Sequence, residues 1–378
     1  MRSCAWPGWL AGSAAACSYT SAFWRCWGCA RAICACRTQT RPAQGKPFES
    51  VRLTATESFG SRRYALMQII RSIRHHPGLR GGCVLTVGNF DGVHLGHQAI
   101  IARVRAKARL LGVPAALMTF DPMPGAFFRP DAPPTRLSSL REKIEDVDAF
   151  GIDCFVRARF DRAFAAMSPE TFLDQLIARR LGARAVLVGD DFRFGHRRAG
   201  DVETLAAFAE QRGIERMSLP DVCFEGERVS SSSVRQALVN GHVEQAARLL
   251  GRPYRISARV VAGQQLGRTL GFPTANLRLH RPSALRYGVY AVRVGLPDGR
   301  EVGGAASFGV RPAVNGDEPL LEIYLLDFAE SIYGWRLDVR FVEFIRPEAD
   351  YDSMDDLVAD INNDIAEVRR ILNQPSVA

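Results

Sequence analysis

Long apolar runs are missing from this sequence: no stretch reaches the roughly 18 consecutive apolar residues of a membrane-spanning helix, so no membrane partner is expected. Cysteine is scarce over most of the chain. After Cys36 only Cys83, Cys154 and Cys223 remain, which argues against a disulfide framework and suits a reducing cytoplasm. Net charge is also nearly absent there. The formal +9 of the whole chain sits mostly in residues 1–66, which hold nine Lys/Arg against Glu49 and Glu57, leaving +2 for residues 67–378. Such a body lacks the clustered positive field that nucleic acid requires, so no nucleic-acid partner is expected. The G-x-x-x-x-G-K-[ST] phosphate loop is missing too: "GQQLGRT" (263–269) is too short between its glycines and has no lysine.

What is present divides sharply. Of 378 residues, 47% are hydrophobic, enough for two or three packed cores. Residues 1–66 stand apart, with six of the nine cysteines, four of the five tryptophans and no sustained period. Cys26 and Cys29 have the C-x-x-C spacing of a zinc site but no matching second pair. A signal or transit peptide would need a clean apolar segment and a cleavage site, which are not evident. The segment reads as a non-native or disordered extension, with Met67 opening the protein proper.

From Cys83 to Gly251, short apolar runs (83–90, 114–120, 153–160, 183–192 and 216–220) alternate with helical patterns. That alternation predicts a doubly wound α/β domain around a parallel sheet. Ser139 with Glu142 forms a capping-box pattern, and Ser168 precedes Pro169 at a first helical position. After residue 251 the period becomes two, predicting a small antiparallel β-barrel, with Asp298-Gly299 as a two-residue hairpin signal. A closing helix is capped by Ser353 with Asp356. Its apolar stripe of Met354, Leu357, Val358, Ile361, Ile365, Val368 and Leu372 reads as core.

The stretch "TVGNFDGVHLGHQ" (86–98) lies where the first apolar run turns into a helix. Gly88 and Gly92 allow a sharp turn, and the helix, starting near Val93 or His94, exposes free N–H groups and the positive end of its dipole. His94 and His97, one turn apart, can both face an anion held there. At the carboxyl end of a parallel strand a nucleotide phosphate is the natural guest. Zinc is the weaker reading, since further ligands at set spacing are not evident nearby.

These residues resemble the G-x-F-D-G-x-H-x-G-H signature of the bacterial bifunctional riboflavin kinase/FAD synthetase family. The resemblance continues through "TFDPMP" (119–124), "SLREK" (139–143), "GDDFRFG" (189–195) and "RVSSSSVRQAL" (228–238). It implies a nucleotidyltransferase domain over 67–250 that transfers AMP from ATP to FMN, giving FAD and pyrophosphate. His94 and His97 would then serve catalysis by donating hydrogen bonds to phosphate oxygens. Gly88, Phe90, Asp91 and Gly92, with Ser231, Ser232 and Arg235, would bind nucleotide or phosphate. Asp121, Asp190, Asp191 and Phe192 are assigned to the flavin or nucleotide pocket. Many relatives carry histidine where this chain has Met123, which leaves open whether both modules are active.

The second half resembles riboflavin kinase over 251–378, through "LGFPTANL" (270–277), "ASFGVRPAVNG" (306–316) and "LEIYLLDF" (321–328). The resemblance implies Gly271 and Pro273 near nucleotide, Thr274 and Asn276 as oxygen ligands for Mg²⁺, and Glu322 as the base that takes the riboflavin 5′-hydroxyl proton. Riboflavin, FMN and ATP are the expected small-molecule substrates, FAD the product, and the oligomeric state stays open. A non-catalytic flavin or nucleotide binder is the competing reading.

Overall fold

The apolar runs become neighbouring strands in a computed structural model that describes residues 67–373, apart from 75, 80, 264–269, 280, 281, 314 and 315. The expectations for residues 1–66 and for most of "GQQLGRT" lie outside the described residues. Strands β1 (Gln68–Ile70), β2 (Cys83–Val87), β3 (Ala115–Asp121), β4 (Cys154–Arg159), β5 (Ala183–Leu187) and β6 (Glu215–Met217) form a sheet of order β1-β4-β3-β2-β5-β6, every pair parallel. The central strands are apolar at consecutive positions because the two sheet faces enter different cores. Val84, Leu117, Phe155 and Ala185 pack on one side; Leu85, Met118, Val156 and Val186 pack on the other.

The helices preceding residue 251 are α1 (Leu95–Leu111), α2 (Pro124–Phe128), α3 (Leu140–Ala149), α4 (Arg162–Ala165), α5 (Pro169–Thr171, continuing as a π-helix over Phe172–Arg180), α6 (Val202–Arg212), α7 (Ser231–Val239) and α8 (Val243–Leu250). Ser139 caps α3 as expected: its hydroxyl accepts the Glu142 N–H at 3.2 Å, and the Glu142 carboxylate accepts the Ser139 N–H. Ser168 likewise caps α5 ahead of Pro169.

Two expected runs need adjusting, and one strand is added: β1 is a three-residue edge strand, too short to show a period. The run 183–192 stays in the sheet only to Leu187, and its remainder bends into a loop. The run 216–220 shrinks to an edge strand with exposed Glu215 and Arg216. The chain passes from β2 through β3 to β4 on one side, then returns to β5 on the other side of β2. The β2/β5 boundary is therefore the topological switch point, where the carboxyl ends of the strands part and leave a crevice.

Strands β7 (Cys223–Phe224) and β8 (Glu227–Arg228) form a small antiparallel pair ahead of α7. Beyond Gly251 the strands β9 (Arg255–Val261), β10 (Thr274–Arg278), β11 (Gly288–Gly295), β12 (Glu301–Ala313), β13 (Gly316–Leu325) and β14 (Arg336–Arg346) close an antiparallel barrel in the order β10-β13-β12-β11-β14-β9. Its interior holds Ile256, Leu277, Tyr290, Val292, Leu321 and Phe341, and the same apolar cluster takes in Val234 and Leu238 of α7 and Val243 and Leu249 of α8. The core is thus continuous across residue 250.

The β11/β12 connection is not the two-residue turn expected from Asp298-Gly299. The Gly299 N–H donates to the Leu296 carbonyl at 3.1 Å and the Leu296 N–H to Arg300 at 2.8 Å, with Gly299 at φ +90°. Pro297, with its φ fixed at about −65°, suits the second position of a turn over residues 296–299, so the left-handed glycine follows the two central residues instead of being one of them. Helix α9 (Met354–Asn373) closes the described chain, capped by Ser353, whose hydroxyl accepts the Asp356 N–H at 3.2 Å. Its stripe is only partly core. Val368 and Ile371 are buried against Ala291 and Leu326. Leu357, Ile361 and Ile365 instead line a cavity, and Met354 is exposed.

Candidate active sites

The crevice at the switch point is a cleft of about 600 Å³ lined by residues from 87–97, 188–193 and 228–235. Two helix N-termini open into it, those of α1 and α7, so unpaired backbone N–H groups and two positive dipole ends converge there. His94 is the N-cap of α1. Its Nδ1 accepts the His97 backbone N–H at 3.4 Å, which leaves Nε2 to carry the ring proton. The two imidazoles stack 3.7 Å apart, and Phe90 packs beside His97 with ring centres 4.8 Å apart. Burial pushes the His94 pKa down to about 4, partly offset by Asp91 and reinforced by nearby guanidinium groups. Burial first, and then His94, hold His97 well below the ordinary histidine range. At neutral pH both rings are therefore uncharged hydrogen-bond donors, and His97 Nδ1 is buried with no partner among the described residues.

The remaining motif residues divide between lining the cleft and building its loop. Asp91 is 1% exposed. Its carboxylate accepts the Leu137 and Ser138 N–H groups, the Ser138 hydroxyl, and Arg235 Nη2 at 2.6 Å. With its lone pairs so engaged and its charge facing Arg235, it anchors the loop rather than contacting phosphate. The Ser231 hydroxyl donates to the Asp91 carbonyl at 2.9 Å. Ser232 and Arg235 line the cleft, and Arg235 Nε also donates to the Thr135 carbonyl. Gly88 lines the cleft too, and a Cβ there would come within 3.2 Å of the Phe90 ring; at Gly92, with φ +82°, it would come within 2.8 Å of Leu137.

Asp190, Asp191 and Phe192 face the cleft from the β5 loop, with Phe192 stacked on Phe194 at 5.4 Å. Asp121 does not join them. Its carboxylate is drawn to Arg157 on the neighbouring strand at 2.8 Å and to Arg136 at 3.6 Å, away from the cleft lining. Met123 does line the cleft and is largely buried.

Lys143, not singled out from the sequence, is buried beside the loop and donates from Nζ to the Asn89 carbonyl at 2.6 Å. Burial pushes its pKa down to about 8. A signal was present: Leu140, Lys143, Ile144 and Val147 hold the i, i+3, i+4, i+7 positions of α3, so the lysine stands inside the buried stripe.

A second cavity, of about 260 Å³, lies on the outer face of the barrel under α9. Alternation along the strands explains its contents. Ala275, Leu277, Leu321 and Ile323 point into the barrel, so Thr274, Asn276, Glu322 and Tyr324 point out. Asn276 pairs with Glu322 across β10/β13, and Ser307 of β12 pairs with Glu322 from the other side. Asn276 is buried, and its amide NH₂ donates to the Thr274 carbonyl at 3.4 Å. Glu348 and Asp364 also line the cavity, and Arg346 is held by two bonds to Asp364, at 2.9 and 2.8 Å. Gly271 and Pro273 are exposed neighbours in the chain but not part of the lining.

The two regions match two families: residues 77–233 match the FAD synthetase family and residues 250–372 the riboflavin kinase family. The bifunctional riboflavin kinase/FMN adenylyltransferase of Haemophilus influenzae is 41% identical over 307 residues, covering 81% of this chain and all of that protein. This chain belongs to that family. The protein of the same description from Pseudomonas fluorescens is 42% identical over 306 residues, covering 81% of this chain and 98% of its own length. A solved structure from Streptococcus pneumoniae, described as a macrolide-efflux protein, has a TM-score of 0.72 at 29% identity and covers 82% of this chain and 99% of that one. Among the described residues no helix is long and apolar enough to cross a membrane. The histidine cleft falls within the FAD synthetase match and the outer barrel cavity within the riboflavin kinase match.

Proposed function

We propose that this chain makes FAD in two steps: ATP phosphorylates riboflavin to FMN at the barrel, and a second ATP transfers AMP to FMN in the α/β cleft with release of pyrophosphate. The observation that supports this is the presence, in one chain of the bifunctional family, of two separate cavities, one lined by His94, His97 and Arg235 and the other by Thr274, Asn276 and Glu322. We take residues 67–250 as the adenylyltransferase module, 251–378 as the kinase module, and the cytoplasm as the compartment.

In the cleft, an FMN phosphate oxygen attacks the α-phosphorus of ATP in line and pyrophosphate leaves. No group of the protein need form a covalent bond, so catalysis comes from placing the reactants and stabilising charge. Neutral His94 and His97 donate to phosphate oxygens as charge moves onto the leaving group. Gly88, Phe90 and Gly92 shape the loop, while Ser232 and Arg235 extend the donor set from α7. Asp190 and Asp191 suit hydroxyl or ring N–H donors of a nucleotide better than its phosphates, and with Phe192 they serve the flavin or adenosine end.

At the barrel, Glu322 accepts the proton of the riboflavin 5′-hydroxyl as that oxygen attacks the γ-phosphorus of ATP. Thr274 and Asn276 offer a hydroxyl and an amide, hard oxygen donors in the small number that Mg²⁺ takes when phosphates and water complete its shell. When bound, Mg²⁺ neutralises charge on the triphosphate. Asn276 is buried where only a specific polar partner would offset its desolvation, which supports that assignment.

Chromatography of the flavins formed from riboflavin and ATP tests the reading. His97→Ala is expected to stop at FMN. Glu322→Ala is expected to leave riboflavin unchanged yet convert supplied FMN to FAD. Flavin binding without turnover in the wild type would overturn it.

A further inference from the structure

We infer that Arg252, the third residue of the stretch matching riboflavin kinase, is a positioning residue for adenylyl transfer in the other module. The inference rests on the functional reading above.

The loop that delivers His94 has an unfavourable backbone. Phe90 (φ +46°), Gly92 (φ +82°) and Val93 (φ +44°) all occupy the left-handed region, where a β-branched residue such as valine is a genuine outlier. Such a conformation persists only if its surroundings over-determine it. The surroundings are visible as captured carbonyls. Asn89 O accepts from Lys143 and from the Thr119 hydroxyl, and Asp91 O accepts from Ser231. Gly92 O accepts from Arg252 Nη2 at 3.0 Å. Val93 O accepts from Arg252 Nη1 at 3.2 Å and from Gln98 Nε2 at 2.9 Å. Each of these oxygens is bound to a side chain, so an anion in the cleft meets N–H groups and imidazoles in place of carbonyl lone pairs.

Arg252 is the member of this set contributed from beyond the FAD synthetase match. Its fork is oriented by Asp146, 2.6 Å from Nη2 and largely buried, and by the Leu250 carbonyl. The other oxygen of Asp146 accepts from Arg255 at 3.0 Å, and Arg255 also reaches Asp338 on β14 at 2.9 Å. A continuous set of charged hydrogen bonds thus runs from the barrel wall through Asp338, Arg255, Asp146 and Arg252 to the two carbonyls preceding His94. Removing the fork frees the peptide planes of Gly92 and Val93 to turn, and with them the ring at the α1 N-cap.

The test uses the full chain, with FAD formation from FMN and Mg-ATP and FMN formation from riboflavin measured separately. Arg252→Ala is expected to lower kcat for FAD formation roughly 100-fold, the scale of a small misplacement of reacting groups, with little change in the KM for FMN. Kinase turnover should stay at the wild-type level, and free guanidinium ion should restore part of the lost activity. Arg252→Lys keeps the charge beside Asp146 but offers no rigid fork for two carbonyls, and should lose about tenfold. If the alanine variant does not fold, the lysine variant decides. Wild-type FAD formation in either folded variant overturns the inference, as does an equal loss of both activities without guanidinium rescue. A wild type that makes no FAD at all would instead fail the functional reading.

Discussion

In the α/β cleft, helix N-termini and two uncharged imidazoles converge on the space a phosphate would fill, beside Arg235, which is itself paired with Asp91. The barrel cavity is lined by Thr274, Asn276, Ser307, Glu322, Glu348 and Asp364, and Arg346 there is already committed to Asp364. One site is rich in donors, the other in acceptors. On the function proposed above, the same triphosphate would enter the first on the strength of the protein's own partial charges, whereas the second would repel it until a cation intervenes. The difference follows from secondary structure: helix ends at a parallel sheet present N–H groups, while the outer face of a closed barrel has its N–H groups consumed by the ladder and presents only side chains.

Metal removal gives the largest expected effect. Chelation should reduce FMN formation roughly 1,000-fold through lost charge neutralisation, while metal-free ATP still binds the cleft. Calorimetric titration of ATP in EDTA should therefore show one site per chain, and a loss of all binding would break the comparison. Next comes Asp91→Ala, which leaves Arg235 and several N–H donors without their acceptor and should cost about 3–5 kcal/mol in urea unfolding. Acid should then act through the cleft histidines. The His94 pKa is lowered to about 4, so the unfolded chain takes up its proton first as pH falls below about 6.5, and stability is lost between there and 4. The size is about 3 kcal/mol for this one group. Unfolding curves at stepped pH should flatten in His94→Asn, which keeps a capping acceptor that does not titrate. The smallest effect sharpens the comparison at the caps. Ser139→Ala should cost about 1 kcal/mol, because the capping partner Glu142 also accepts the Ser257 N–H of the barrel. Thermal melts should show Ser353→Ala, at the exposed start of α9, costing less.

Much of this architecture could be read from the chain. Apolar runs of seven to ten residues between helical patterns identify β2 to β5, which are themselves five to seven residues long, and cap residues identify where α3, α5 and α9 begin. His94 and His97 were legible because helical spacing after a glycine-bearing turn permits few arrangements. Lys143 and Asp364 were legible in principle: each stands in an apolar helical stripe, Asp364 between Ile361, Ile365 and Val368, where a charge must have a buried partner. Asp121 was misplaced because its fate depends on Arg157, a neighbour created by the register of β3 against β4. Arg252 left no trace in pattern at all. Apart from Asp146, its partners are backbone carbonyls, which every residue owns, and only the folded loop shows which ones need a donor.

The unbroken apolar cluster running from α7 and α8 into the barrel has a practical corollary for anyone dissecting this chain. Excising the segment after residue 250 would strip the covering from Val234, Leu238, Val243 and Leu249, and beginning a fragment at residue 231 would instead carry the serine-rich helix away from the crevice it completes. Neither cut is clean on both counts. Genes shortened at either point should yield sticky, poorly soluble products.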